Sequence, residues 1–275
     1  MERKPLTKKE TKIFREKIYG HYRLHGRDFP WRRTTSPYQI LVSEMMLQQT
    51  QVERVVRKYQ EFVSRFIDFD ALVRASLSDV LSAWQGLGYN RRAVALKRIA
   101  EVIVSDHGGQ LPKDLESLSN LPGIGKTTAG EILAFAFNIP VPFIETNIRR
   151  VFIHEFFDGV DAVEDSSILP LVEATLDRKN PRQWYWALMD YGSTLKKSVT
   201  NPNRRSAHYS RQPPFEGSDR RIRGILVRAL LGRSDATVGE LESETSVPQN
   251  RLNHILVGMT RDGIIREKNG KYSID

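Results

Sequence analysis

The sequence predicts an all-α body followed by a C-terminal winged helix-turn-helix unit, and three observations predict it. Apolar residues recur at helical spacing from Ile40 to Phe137, broken only by short Gly- or Pro-containing stretches. A segment mixing Pro, Gly, Ser and Arg, residues 201–219, then interrupts the pattern. Beyond it the helical spacing restarts and ends in a small hairpin turning at Asn269 and Gly270.

Within the body, "YQILVSEMMLQQTQVERVVRKYQEFVSRF" sets Ile40, Leu41, Met45, Leu47, Val52, Val55, Val56 and Tyr59 near helical spacing. The breaks "QGLGYN", "DHGGQLP" and "LPGIG" separate successive helices, and "KDLESLSN" spaces Leu115 and Leu118 as a short helix. No strand alternation precedes residue 263. After the interruption, Ile222, Ile225, Leu226, Ala229 and Leu230 line one helix face, and Thr237 with Glu240 offers a capping box. A third helix runs through Leu252, Ile255, Leu256 and Met259 and closes at Gly263. The expected boundaries are a core over 1–210, a linker over 211–218 and the winged unit over 219–275.

At 275 residues the chain can bury a substantial core. Lys and Arg outnumber Asp and Glu by 42 to 33, a net charge of +9 that favours phosphate polymers or acidic surfaces, although a merely soluble basic protein has the same balance. There is no cysteine, which excludes disulfides and cysteine-held zinc or iron–sulfur clusters. The start "MERKPLTKKETK" carries no apolar segment after its charges, and no run approaches the ~20 apolar residues of a membrane span. The reading is a soluble intracellular protein with no membrane partner. Of six histidines, His21 and His25 lie four apart without a carboxylate set, a surface pair rather than a metal site.

"LPGIGKTTAG", residues 121–130, looks like the tail of a phosphate-binding loop, but Asn120 stands where that motif needs glycine and no buried strand leads in. The stretch reads as helix, hairpin, helix. Such a hairpin exposes the N–H groups of Gly123 and Gly125 and a helix N-terminus, an anion site; a plain Gly-containing turn fits the same ten residues.

"FPWR" at 29–32, "SEMMLQQTQV" at 43–52, "GLGY" at 86–89, "LPGIGKTTAG" and "MDYG" at 189–192 occur in the order seen in the helix-hairpin-helix DNA glycosylases. The chain resembles that superfamily over residues 29 to about 192, and most of all its adenine-specific MutY branch. The resemblance implies a two-lobed α-helical fold: a middle lobe of about 36–138 and a second lobe from 1–35 plus 139–210, with DNA at their cleft. It also implies a monovalent cation on the carbonyls of the hairpin, residues 118–125, and no other required cofactor. The implied partner is double-stranded DNA with a mispaired or damaged base, bound by a monomer associated with the nucleoid in the cytoplasm.

By resemblance, Glu44 is the acid that protonates the purine, and burial in its apolar helix would favour the protonated form. Glu145, in "VPFIETNIRRVF", aligns with the family's catalytic aspartate and Asn147 with its assisting asparagine. One extra methylene displaces the carboxylate by about 1.5 Å, and a ~1 Å misplacement costs on the order of 10²-fold in rate. Gln49 and Tyr89 match the wedge residues that enter the stack when a base is flipped. Gln48, Arg91, Gly123, Gly125, Lys126 and Thr127 complete the expected DNA contacts, with Tyr89 read as an exposed aromatic beside the basic pair Arg91 and Arg92. Thr127 stands where bifunctional relatives carry a Schiff-base lysine, and a hydroxyl forms no imine.

Two further departures bear on function. Lys196 occupies the first position where relatives usually place cluster-binding cysteines, with basic Arg204, Arg205 and Arg211 downstream, available to phosphates or simply solvated. The winged unit stands where adenine glycosylases usually carry a β-rich lesion-reading domain; its Gln249, Asn250, Arg251 and Asn253 could read DNA, or the unit could bind protein. Three readings follow: a monofunctional glycosylase releasing adenine opposite guanine or 8-oxoguanine, a glycosylase for thymine, uracil or another modified base, and a non-catalytic DNA-binding protein.

Overall fold

The computed structural model describes residues 5–210 and 214–274; Arg211, with the rest of 211–213, lies outside them. In chain order the body contains α1 (Lys8–His25), α2 (Pro37–Leu47), α3 (Val52–Arg65), α4 (Phe69–Arg74), α5 (Leu77–Ala83) and α6 (Arg91–Asp106). It continues with α7 (Leu115–Ser119), α8 (Lys126–Phe137), α9 (Thr146–Phe156), α10 (Asp165–Thr175) and α11 (Pro181–Ser198). The C-terminal segment adds α12 (Asp219–Leu231), β1 (Ala236–Thr237), α13 (Val238–Thr245), α14 (Gln249–Arg261), β2 (Arg266–Lys268) and β3 (Lys271–Ser273).

Two compact units emerge: 1–40 with 113–120 and 124–211, and 41–112 with 121–123 and 212–275. In the first unit α11 packs along α9 and α1, burying Trp184, Tyr185, Phe152, Phe14 and Ile18. Phe14 meets the Trp184 ring edge-on at 5.9 Å. Such pairs contribute roughly 0.5–1.5 kcal/mol beyond their burial. An ion cluster locks the ends of this unit: Asp190, 1% exposed, takes a two-pronged bond from Arg32 (2.8 and 2.9 Å) and further bonds from Arg27 N and Nε. The "FPWR" and "MDYG" motifs thus meet through one carboxylate. Burial opposes ionisation of Asp190, but Arg32 and Arg27 outweigh it and hold the carboxyl below the ordinary range.

In the second unit α3 turns Val55, Tyr59, Phe62 and Val63 inward at helical spacing, and Phe62 meets the Trp84 ring at 5.8 Å. The C-terminal segment belongs to this unit, with α12 against α5. Its own core is Leu226, Leu230, Leu241, Leu252, Leu256 and Met259. Thr237 and Glu240 make the expected capping box. Asn269 and Gly270, at φ +54° and +75°, form the tight turn between β2 and β3. A third strand corrects the sequence reading: Ala236 and Thr237 pair antiparallel with Tyr272 and Lys271, giving the sheet order β1-β3-β2. Two residues are too few to show alternation. Helix, strand, two helices and a hairpin is the element order of a winged helix-turn-helix.

Candidate active site

In the first unit α9 starts at Glu145, whose extended backbone makes it the N-cap. Glu145 Oε1 accepts from Asn147 N at 2.7 Å and Ile148 N at 2.8 Å, and Oε2 accepts from Asn147 Nδ2 at 3.2 Å. N-caps are ordinarily short side chains that accept from the amides two or three residues further on. Glu145 does the same by folding its extra methylene, so the carboxylate is drawn back onto the helix end instead of being carried past it. Burial raises its pKa, against the two amides and the charges of Arg150 and Arg149. The outcome is a half-buried carboxylate at the positive end of a helix.

A buried arginine stands behind this group. Arg150 Nη1 donates to Asn147 Oδ1 at 2.7 Å and to Gly192 O at 2.8 Å, while its Nε donates to Asn201 Oδ1 at 3.0 Å. A Cβ on Gly192 would lie 2.4 Å from Asn147 O, so only glycine lets α11 approach so closely. Asn203 Nδ2 donates to Thr146 O at 2.9 Å, and Val163 bridges Ser206 through the main chain. Residues 201–207 therefore fasten the start of α9 with hydrogen bonds. Arg205 donates to the carbonyls of Phe157 and Ile153, so it is not simply solvated; Arg204 and Lys196 are exposed. Thr127 Oγ1 donates at 3.4 Å to the carbonyl of Ile144, the residue preceding Glu145.

In the second unit Glu44, 6% exposed, lies on α2 among Ile40–Met46, all buried. Ser43 Oγ lies 3.5 Å from its Oε1, and its charge, after burial, helps raise the pKa of Tyr59. One turn later the helix ends at Gln48 and Gln49. Gln49 and Tyr89 both take left-handed backbone, φ +55° and +49°. In non-glycine residues such conformations cost about 1–3 kcal/mol each and persist only when neighbours enforce them.

Arg92 enforces them. Its guanidinium donates to the carbonyls of Met45, Met46, Gln48, Leu87 and Gly88 and to Thr50 Oγ1, tying the last turn of α2 to the loop that carries Tyr89. A cation there also meets the negative end of the helix and satisfies carbonyls that have no intrahelical partner. The expected exposed aromatic beside a basic pair is corrected: Tyr89 is half-buried, Arg92 at 6% exposure is turned inward, and of the three only Arg91 is exposed. Burial pushes the Arg92 pKa down to about 10, so it stays charged at neutral pH. The signal was present: Arg92, Leu96, Ile99 and Ile103 share one helical face, and all are buried.

The hairpin between α7 and α8 has the expected shape. Gly123 takes φ +75° with a Cβ position 3.1 Å from that of Ala95, so glycine is required there. Gly125 is the N-cap of α8 without a side-chain cap, and Gly123, Gly125 and Lys126 are exposed. Gln48 Nε2 donates to Gly123 O at 3.3 Å. Gln48, Gln49, Tyr89, Arg91 and Gly123 line one cavity of about 400 Å³.

The HhH-GPD superfamily base excision DNA repair protein family matches residues 42–164. The adenine DNA glycosylase of Mycobacterium tuberculosis (strain CDC 1551 / Oshkosh) is 34% identical over 282 residues, covering 94% of this chain and 92% of that protein. The chain belongs to the HhH-GPD superfamily. The thymine/uracil-DNA glycosylase of Methanothermobacter thermautotrophicus is 29% identical over 69% of the chain and 87% of that protein. The solved structure of a thermostable thymine-DNA glycosylase matches with a TM-score of 0.62 at 28% identity, over 67% of this chain and 87% of that one. As an HhH-GPD base excision repair protein, the chain is a DNA glycosylase, and its partner is DNA.

The HhH-GPD match holds Glu44, the hairpin and Glu145 within one stretch, which agrees with the motif order read from the sequence. Arg92, Arg150 and the asparagines at 201 and 203 were missed as supports of the site. His21, read as a surface residue, is half-buried against the Tyr191 ring at 5.1 Å, and burial, with His25, lowers its pKa. Arg251 of α14 is occupied by Asp219 and Gly217 O, which leaves Asn250, Asn253 and His254 as its exposed neighbours.

Proposed function

We propose that the protein is a monofunctional glycosylase that hydrolyses the bond between adenine and deoxyribose in a mispair with guanine or 8-oxoguanine, acting as a monomer. The observation that carries this reading is Glu145 held by two amides and Asn147. As the C1′–N bond breaks, its electron pair leaves with the base and the sugar gains positive charge. Glu44, buried on α2, donates a proton to the purine. The anchored Glu145 carboxylate stabilises the sugar cation without having to reorganise. Water then adds to C1′ and releases a proton to solvent, from which Glu44 is reprotonated. Asn147, fixed by Arg150, keeps the Glu145 carboxylate in place.

Gln49 and Tyr89 fill the space the flipped base leaves, and Gln48, Arg91, Gly123, Gly125, Lys126 and Thr127 contact the strand. The hairpin carbonyls of 118–125 would hold a monovalent cation; neutral carbonyls without carboxylates suit a single charge, and a bound cation would supply positive charge for a phosphate. Thr127 supplies no amine for an imine, so the product is an intact abasic strand.

The test is single-turnover base release by wild type, Glu44→Gln and Glu145→Gln on duplexes with adenine opposite 8-oxoguanine or guanine, beside thymine and uracil mispairs. Adenine release abolished by either substitution is the expected result. Strand cleavage by the pure protein without alkali contradicts the monofunctional assignment. The likeness to thymine-acting relatives supports a second reading, release of thymine or uracil opposite guanine, and the same panel separates the two.

A further inference from the structure

The cavity beside Tyr89 has a wall that the sequence reading did not assign to it. Arg261, at the end of α14, and Arg98, on α6, line it together with Gln49 and Gly123. Arg220 of α12 reaches in from the same C-terminal segment. Its Nη1 donates to the Tyr89 hydroxyl at 2.8 Å, and its guanidinium lies 5.5 Å from the Tyr89 ring centre. Arg92 lies 5.4 Å from the same ring. Tyr89 is therefore held by two guanidinium groups, one from the body and one from the winged unit.

The charges of this cavity are uncompensated. Asp262 also lines it, but Arg223 already pairs with Asp262. Neither Arg98 nor Arg261 has an acidic partner among the described residues. Two free guanidinium groups, the exposed Gly123 N–H and an aromatic ring match a nucleotide: cations and an amide for its phosphate, a ring for its base. By contrast, the exposed side of α14 has lost Arg251 to Asp219. The residues of the winged unit best placed to meet a nucleic acid are thus those at the cavity.

We propose that the winged unit acts at this cavity, with Arg220 positioning Tyr89 and Arg261, together with Arg98, binding a backbone phosphate of the DNA strand next to the wedge residues. The proposal rests on the glycosylase reading for the identity of the duplex. Its own content is that α12 and α14 complete the site.

The test uses the full chain and a fluorescently labelled duplex with adenine opposite 8-oxoguanine. Equilibrium binding is measured across salt concentrations, and base release under single turnover. Arg261→Ala is expected to weaken binding about tenfold and to reduce the salt slope by roughly 0.9, the value for one lost phosphate contact. Arg220→Ala is expected to slow release at least tenfold at saturating enzyme, with an unchanged thermal midpoint. Tyr89→Phe, which removes only the hydroxyl that Arg220 holds, is expected to reproduce part of that loss, and the double variant to fall short of the product of the two. Unchanged binding and salt slope in Arg261→Ala overturn the phosphate contact, and multiplicative effects of Arg220→Ala and Tyr89→Phe overturn the positioning role. Should wild type bind but release no base, the catalytic reading fails, and the salt slope and a double-variant cycle in affinity still decide this one.

Discussion

Arg92 in the second unit and Arg150 in the first face the same physical problem and solve it differently. Both are buried, burial lowers both pKa values, and neither donates to a carboxylate among the described residues. Arg92 spends its donors mainly on main-chain carbonyls, so it fixes the path of two chain segments. Arg150 divides its donors between one carbonyl and two asparagine side chains, so it fixes the aim of the Asn147 amide that bonds Glu145. The lesson is that the same residue type ties chain segments together in one unit and fixes side-chain amides at a helix start in the other. Truncating the first should damage fold and binding, and truncating the second should damage the rate.

Asp190 sets the outer limit of this comparison, because its arginines are paired with a buried carboxylate. Asp190→Asn should cost roughly 3–5 kcal/mol, the cost of leaving buried charges unmatched. Chemical denaturation measures it. Because the folded-state pKa is depressed, the contribution is complete above the unfolded value of about 4 and is lost as pH falls below that toward the folded value. An acid-unfolding curve should show this loss in wild type and not in the variant.

Arg92→Ala comes next, at about 2–3 kcal/mol in denaturant, since several carbonyls lose a charged donor together. DNA affinity should fall with it, and a variant of full stability with normal binding would break the comparison from this side. Arg150→Ala should slow base release on the order of 10²-fold, as a displaced asparagine and carboxylate would, with DNA affinity within a few-fold of wild type. Equal losses of rate and affinity would remove the distinction between the two arginines.

The smallest effect concerns acidity. Glu145 has its pKa raised by burial, so base release should decline on the acid side at a pH above the ordinary glutamate value of about 4.3. Glu145→Asp, which can cap the helix with a shorter side chain, should keep most of the rate and shift that limb, as a pH–rate profile would show.

Much of this could be read from the sequence, where a residue's role depends on near neighbours. The helices of the body, the Thr237–Glu240 box, the Asn269–Gly270 turn and the glycines of the hairpin all follow local rules, and the structure has them. The burial of Arg92 was also encoded, in its spacing from Leu96, Ile99 and Ile103, but charge drew attention to solvent. β1 is two residues long and leaves no period to detect. The folding back of Glu145 depends on side-chain rotation that spacing does not encode. The bonds of Arg150 to Gly192 and Asn201, and of Arg220 to Tyr89, join residues 42, 51 and 131 positions apart, beyond the reach of any local pattern.

That last separation has a consequence for how the protein comes into being. A ribosome adds about 5–20 residues per second, so Tyr89 is made on the order of ten seconds before Arg220. Throughout that interval the left-handed turn at Tyr89 has Arg92 as its support and lacks the other. The finished Tyr89 corner is consequently a late product of translation, and a nascent chain would acquire Glu44 and Glu145 well before it acquires the clamp on the aromatic ring.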